Sequence, residues 1–107
     1  MRQRRLGRGD FERVRGARAV SSHFSLSFSR VPGHGGYAAV VSKKVATKAV
    51  VRHRLKWWML ESMRPWSKPG RGLILYARAG AGVLPRKVFL SEVQILLQSA
   101  FLNEQHH

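Results

Sequence analysis

The densest concentration of reactive side chains is the segment Ser42-Lys43-Lys44-Val45-Ala46-Thr47-Lys48-Ala49-Val50-Val51-Arg52-His53-Arg54-Leu55-Lys56. Lys43 and Lys44 sit where an apolar strand pattern ends. Lys48, Arg52 and Lys56 are each four residues apart, so on a helix they form one stripe. Arg54 lies about 200° from Arg52 and projects elsewhere. No acidic residue stands four positions from these cations to relieve their repulsion. A helix start surrounded by Lys and Arg is suited to holding phosphate. The plainer reading is a solvated basic face.

Other chemistries find little support. The carboxylates Asp10, Glu12, Glu61, Glu92 and Glu104 are scattered and offer no paired acid and base. The histidines His23, His34, His53, His106 and His107 lack metal-ligand spacing, so no metal site is expected. With no cysteine, a disulfide framework, a thiolate zinc site and a thiol nucleophile are all excluded. The Gly-rich stretches match neither a phosphate-binding loop nor a dinucleotide fingerprint. No catalytic residue is expected in the chain itself.

The whole composition points the same way as the segment. Among 107 residues there are 20 Lys and Arg against 5 Asp and Glu, a formal net charge of +15. Of the cations, 14 are Arg, which binds phosphate bidentately and stacks on bases. Nucleic acid is therefore the expected partner, with an anionic membrane surface second. Hydrophobic content of 44% is too high for a disordered basic tail and fits one domain with a modest core. No apolar run is long enough to span a bilayer.

These residues need a scaffold, and the patterns supply one. Met1–Arg8 reads as a basic flexible arm. Gly9–Arg18 reads as a short helix, with Asp10 as N-cap and Phe11 and Val14 on one face. Ser21–Val31 alternates Phe24, Leu26 and Phe28 with Ser25, Ser27 and Ser29, the pattern of a half-buried strand. Pro32-Gly33-His34-Gly35-Gly36 is a loop tip. Tyr37–Ser42 is a second strand, apolar on both faces, expected to be central and to pair with the first as a hairpin. Lys48–Arg64 is the main helix, burying Val51, Leu55, Trp58, Met59 and Ser62 and ending at Pro65. Gly72–Arg78 is a third strand, and a further short strand fits near Ala19–Ser22. Pro85 opens a last helix buried through Val88, Phe89, Val93, Leu96, Leu97 and Ala100. The expected fold class is α/β (α+β), a small two-layer sandwich in the order α-β-β-(β)-α-β-α. The domain is expected over residues 9–101. Residues 102–107 form a flexible tail, with His106-His107 either native or the stub of a purification tag.

Ser42-Lys43-Lys44, then Ala49-Val50, then Arg52-His53-Arg54-Leu55-Lys56, with Glu61 following, resembles the signature of the bacterial ribonuclease P protein subunit. Asp10-Phe11, the strands before Ser42, the strand ending Ala77-Arg78 and the closing helix extend the resemblance over roughly Arg5 to Ala100. It implies a left-handed βαβ crossover, against the common rule. It implies an RNA-binding subunit of a ribonucleoprotein endonuclease that removes the 5′ leader from precursor tRNA. A catalytic RNA subunit would perform the hydrolysis with Mg²⁺. Lys43, Lys44, Arg52, Arg54 and Lys56 match RNA-contacting positions, which Lys48 and His53 extend. Phe11 matches an aromatic that binds the single-stranded leader. The implied location is cytoplasmic, and without RNA the chain is expected to be a monomer.

The chain departs from the family pattern at four places. His53 stands for an Asn, Trp57 for an Arg and Leu60 for another Arg, and no second aromatic occurs near Arg15. Trp57 points away from the buried arc and is expected to be exposed, where it either stacks on a base or leaves an apolar patch. The competing reading of the whole chain is a ribosomal-type structural RNA-binding protein without a role in tRNA processing.

Overall fold

The computed structural model describes residues 17–30 and 35–105, with side chains to residue 101. The basic arm, the helix expected from Gly9 as far as Gly16 (Phe11 included), the loop tip 31–34 and His106-His107 lie outside the described residues. The elements are β1 (Ala17–Val20), β2 (Phe24–Arg30), β3 (Gly36–Val40), α1 (Ala49–Met63), β4 (Arg71–Ala77) and α2 (Arg86–Gln105). The protein is a mixed α+β sandwich, a four-stranded sheet in the order β1-β2-β4-β3 with two helices packed on one face.

Strand β2 forms where its alternation predicts. Phe24 and Leu26 are buried against the helices, and Phe28 packs on the same cluster. The opposite face is also buried in part, through Ser27, Ala38 and Ile74. Ala17 and Arg18, expected to close the first helix, instead begin β1. Their backbone pairs antiparallel with Phe28 and Ser27, which places the small Ala17 and Ala19 across from Phe28 and Leu26.

The expected hairpin between the second and third strands does not form, and β3 is not central. β4 lies between them, antiparallel to β2 and parallel to β3. Leu73, Ile74 and Leu75 are all 0% exposed, so β4 buries both faces and takes the interior position. The segment β3–α1–β4 is therefore a parallel crossover, with α1 carried across the sheet between two neighbouring strands.

Helix α1 buries Leu55, Met59, Ser62 and Met63, while Val51 and Trp58 pack at the rim of the core. Each of the large apolar side chains contributes about 1.5–3 kcal/mol by leaving water. Pro65 enters a single 3₁₀ turn, Arg64–Trp66, which ends the helix. Trp66 then stacks on Phe101 at 5.3 Å, and the Arg71 guanidinium lies 4.1 Å from the Phe101 ring centre. Helix α2 buries Phe89, Val93, Leu96, Leu97 and Ala100 as expected, but Val88 is exposed. Val88 lies about 100° from Phe89, outside the arc that faces the sheet. α2 continues to Gln105, past the domain end expected at residue 101, because Leu102–Gln105 include no Gly or Pro to stop it.

Candidate nucleic-acid interface

The basic segment folds as a corner between β3 and α1. After Val40 the chain turns, and the Ser42 carbonyl accepts hydrogen bonds from Val45 N (3.1 Å) and Ala46 N (3.2 Å). This tight turn puts Lys43 and Lys44 at its outer edge, both exposed. Val41 and Ala46, on either side of them, are buried and anchor the turn to the core. Lys48 has extended backbone (φ −81°, ψ 131°), and its carbonyl opens the helix by accepting from Val51 N and Arg52 N at 3.1 Å. No side chain caps this end, and no acid occupies the first turn. The first N–H groups of α1 thus face solvent beside exposed Lys48, and together they favour an anion.

Down the helix, His53, Arg54 and Lys56 are exposed, and Trp57 is 59% exposed as the spacing predicts. The side chains of Lys43, Lys44, Lys48 and Lys56 make no hydrogen bond or ion pair with another described residue. Among the described residues the two ion pairs are elsewhere, Arg64 with Glu61 at 3.5 Å and His23 with Glu92 at 2.8 Å. The Arg54 guanidinium lies 5.7 Å from the centre of the Trp58 ring, and the residue stays exposed.

Arg52 differs from its neighbours. Its Nη1 donates to the Ala46 carbonyl (3.0 Å) and to the Thr47 carbonyl (2.7 Å), and the side chain is half-buried. It ties the helix back to the turn that displays Lys43 and Lys44. The structure therefore places all seven basic and histidine positions along the β3–α1 turn and the first two turns of α1, with Arg54 on a different helix face from Arg52, and it assigns Arg52 a bracing task as well as a charge. Phe11 lies outside the described residues.

A second polar cluster was not visible in the sequence, because its members are 69 to 71 residues apart. Glu92 on α2 accepts from the Ser21 hydroxyl at 2.5 Å, from the His23 backbone N–H at 2.7 Å, and pairs with His23 Nδ1 at 2.8 Å. Burial raises the Glu92 pKa, but the hydrogen bonds from Ser21 and His23 and the His23 charge outweigh it, and the net shift is downward. The hydroxyl is spent on the carboxylate rather than on the imidazole, so this is a fastening between the β1–β2 turn and α2, not a nucleophile. Among the described residues no three His, Asp or Glu side chains gather as a metal site, and no helix is long and apolar enough to cross a membrane.

Comparison with known proteins places this corner in a wider setting. No curated protein sequence matches the chain. The fold matches the RNase P protein of Staphylococcus aureus with a TM-score of 0.80 and 21% identity, covering 94% of this chain and 96% of that one. It also matches the RNase P protein of Thermotoga maritima, with a TM-score of 0.75 and 21% identity over 92% of this chain and 97% of that one. A second structure of the Thermotoga maritima protein, in complex with 1-(4-fluorophenyl)-2-thiourea, matches with a TM-score of 0.75 and 22% identity, covering 88% and 97%. At these identities the structures speak for the fold alone. The family model for ribonuclease P spans residues 1–100, the whole of the basic corner included, and the chain belongs to that family.

Proposed function

We propose that this component of ribonuclease P binds the catalytic RNA through the β3–α1 corner and so supports removal of the 5′ leader from precursor tRNA. The observation that carries the reading is the corner itself. Lys43, Lys44, Lys48, Arg54 and Lys56 project outward from a fixed turn and helix, and no described acid neutralises them. Phosphates of a folded RNA are the matching counter-charges. Phe11 is the proposed leader contact, where an aromatic face would stack on single-stranded bases without demanding a sequence. The Mg²⁺ of the reaction is assigned, together with the hydrolysis, to the RNA subunit. No step is routed through the protein.

Reconstitution tests this. A bacterial ribonuclease P RNA and a precursor tRNA are combined with and without the chain at low salt. The chain alone leaves the precursor intact, and its addition raises cleavage. If about six phosphates are engaged, log affinity for the RNA falls with log salt at a slope of about −4 to −5. A chain that neither binds this RNA nor improves cleavage would refute the proposal.

A further inference from the structure

Two adjacent tryptophans on α1 have opposite surroundings. Trp58 packs its ring against Phe89 at 5.2 Å and belongs to the rim of the core. Trp57 is 59% exposed and takes no part in that cluster. On the helix, His53 and Arg54 stand about 40° and 60° to either side of it, and Lys56 precedes it. All three are exposed. The Arg54 guanidinium leans over Trp58 rather than over Trp57, so the Trp57 indole is not covered from that side.

An indole in water among cations is an unfavourable surface on its own. It becomes favourable with a ligand that has a flat apolar face and negative charge a few ångströms away. A nucleotide has both. We infer that Trp57 is a stacking platform for an unpaired base of the RNA held at the corner, with His53, Arg54 and Lys56 around the adjoining phosphates. This rests on the function proposed above and adds a contact of a different kind. A cation at position 57 would bind one more phosphate and strengthen salt dependence, whereas an indole adds affinity that salt barely screens.

The test measures binding of the full chain to a bacterial ribonuclease P RNA across a salt series. Trp57→Ala weakens binding by roughly 5- to 150-fold with an unchanged salt slope. Trp57→Phe retains most of the affinity, and Trp57→Arg steepens the slope by about one unit. Thermal melts of each variant match the wild type, since the side chain is outside the core. Wild-type affinity in Trp57→Ala overturns the inference. So does a loss of affinity that appears only on anionic lipid vesicles and not on RNA. Lys56→Ala distinguishes a failure of the stacking from a failure of the corner as the RNA site. If it lowers the slope while Trp57→Ala is silent, the stacking alone fails; if both are silent, the corner itself is not the RNA site.

Discussion

Replacing Arg52 separates two tasks that a charge count would merge. Its Nη1 holds the Ala46 and Thr47 carbonyls at 3.0 and 2.7 Å, so Arg52→Ala leaves both acceptors without that donor. Charge-assisted hydrogen bonds contribute about 1.5–3 kcal/mol when shielded. Here one nitrogen serves both acceptors and the side chain is only half-buried, so water replaces part of the interaction and the net loss is about 1–2 kcal/mol. For a domain of this size each kcal/mol lowers Tm by about 4–8 °C. The informative companion is Arg52→Lys, which retains the charge but lacks the planar fork needed to bridge two carbonyls. Its salt slope for RNA stays at the wild-type value, while its Tm falls nearly as far as that of Arg52→Ala. Circular-dichroism melts and filter-binding titrations on the three proteins suffice. An Arg52→Lys protein that melts with the wild type would refute the bracing role and return Arg52 to the set of simple phosphate contacts.

Three further outcomes follow from the same geometry. Lys43→Ala combined with Lys44→Ala lowers the magnitude of the salt slope by about two units and leaves Tm unmoved, because both side chains are exposed and unpaired with described residues; a shifted melt would mean that the turn depends on them. The Glu92 carboxyl is held below its ordinary value of 4.5, so its contribution is complete above that pH and fades as pH falls through the lower folded value. The stability gap between wild type and Glu92→Gln, read from urea midpoints, accordingly narrows on acidification, and a gap that is constant with pH would contradict this. Gly35 has φ +73°, and a Cβ there would fall on the Arg71 carbonyl oxygen and within 2.8 Å of the Arg71 nitrogen and the Lys68 oxygen. Gly35→Ala therefore costs about 2–5 kcal/mol in urea unfolding, whereas Gly80→Ala, which meets a His23 ring carbon at 3.1 Å, costs less.

Local patterns were readable wherever a single element determined the answer. The Phe-Ser-Leu-Ser-Phe alternation marks β2 because a strand's two faces are set by neighbouring residues alone. The stripe Leu55, Met59, Ser62 marks the inner side of α1 for the same reason. Partner choice was another matter. Gly36–Val40 is apolar on both sides, which suggests a central strand, yet β3 is at the edge. The same pattern also suits a strand with a parallel neighbour, and that is what β4 provides. A hairpin and a crossover satisfy the local sequence equally, and only the fully buried Leu73-Ile74-Leu75 decides between them. In the interface, the exposed lysines followed from charge and spacing. The bracing by Arg52 did not, because it depends on where the turn at Ser42 delivers two backbone carbonyls. The grip of Glu92 on His23 was equally invisible, being made across nearly the full domain.

The insertion of β4 between its two neighbours has a consequence for how the protein is made. During synthesis β1 and β2 emerge first and can zip together at once, whereas β3 emerges with no mate. It waits until residues 71–77 leave the ribosome, well after α1 has been translated. Non-local pairing of this kind is slow to establish. The cationic corner is therefore secured at both ends only once β4 has been made, and a nascent fragment that stops short of β4 offers its positive charges without the rigid frame that arranges them.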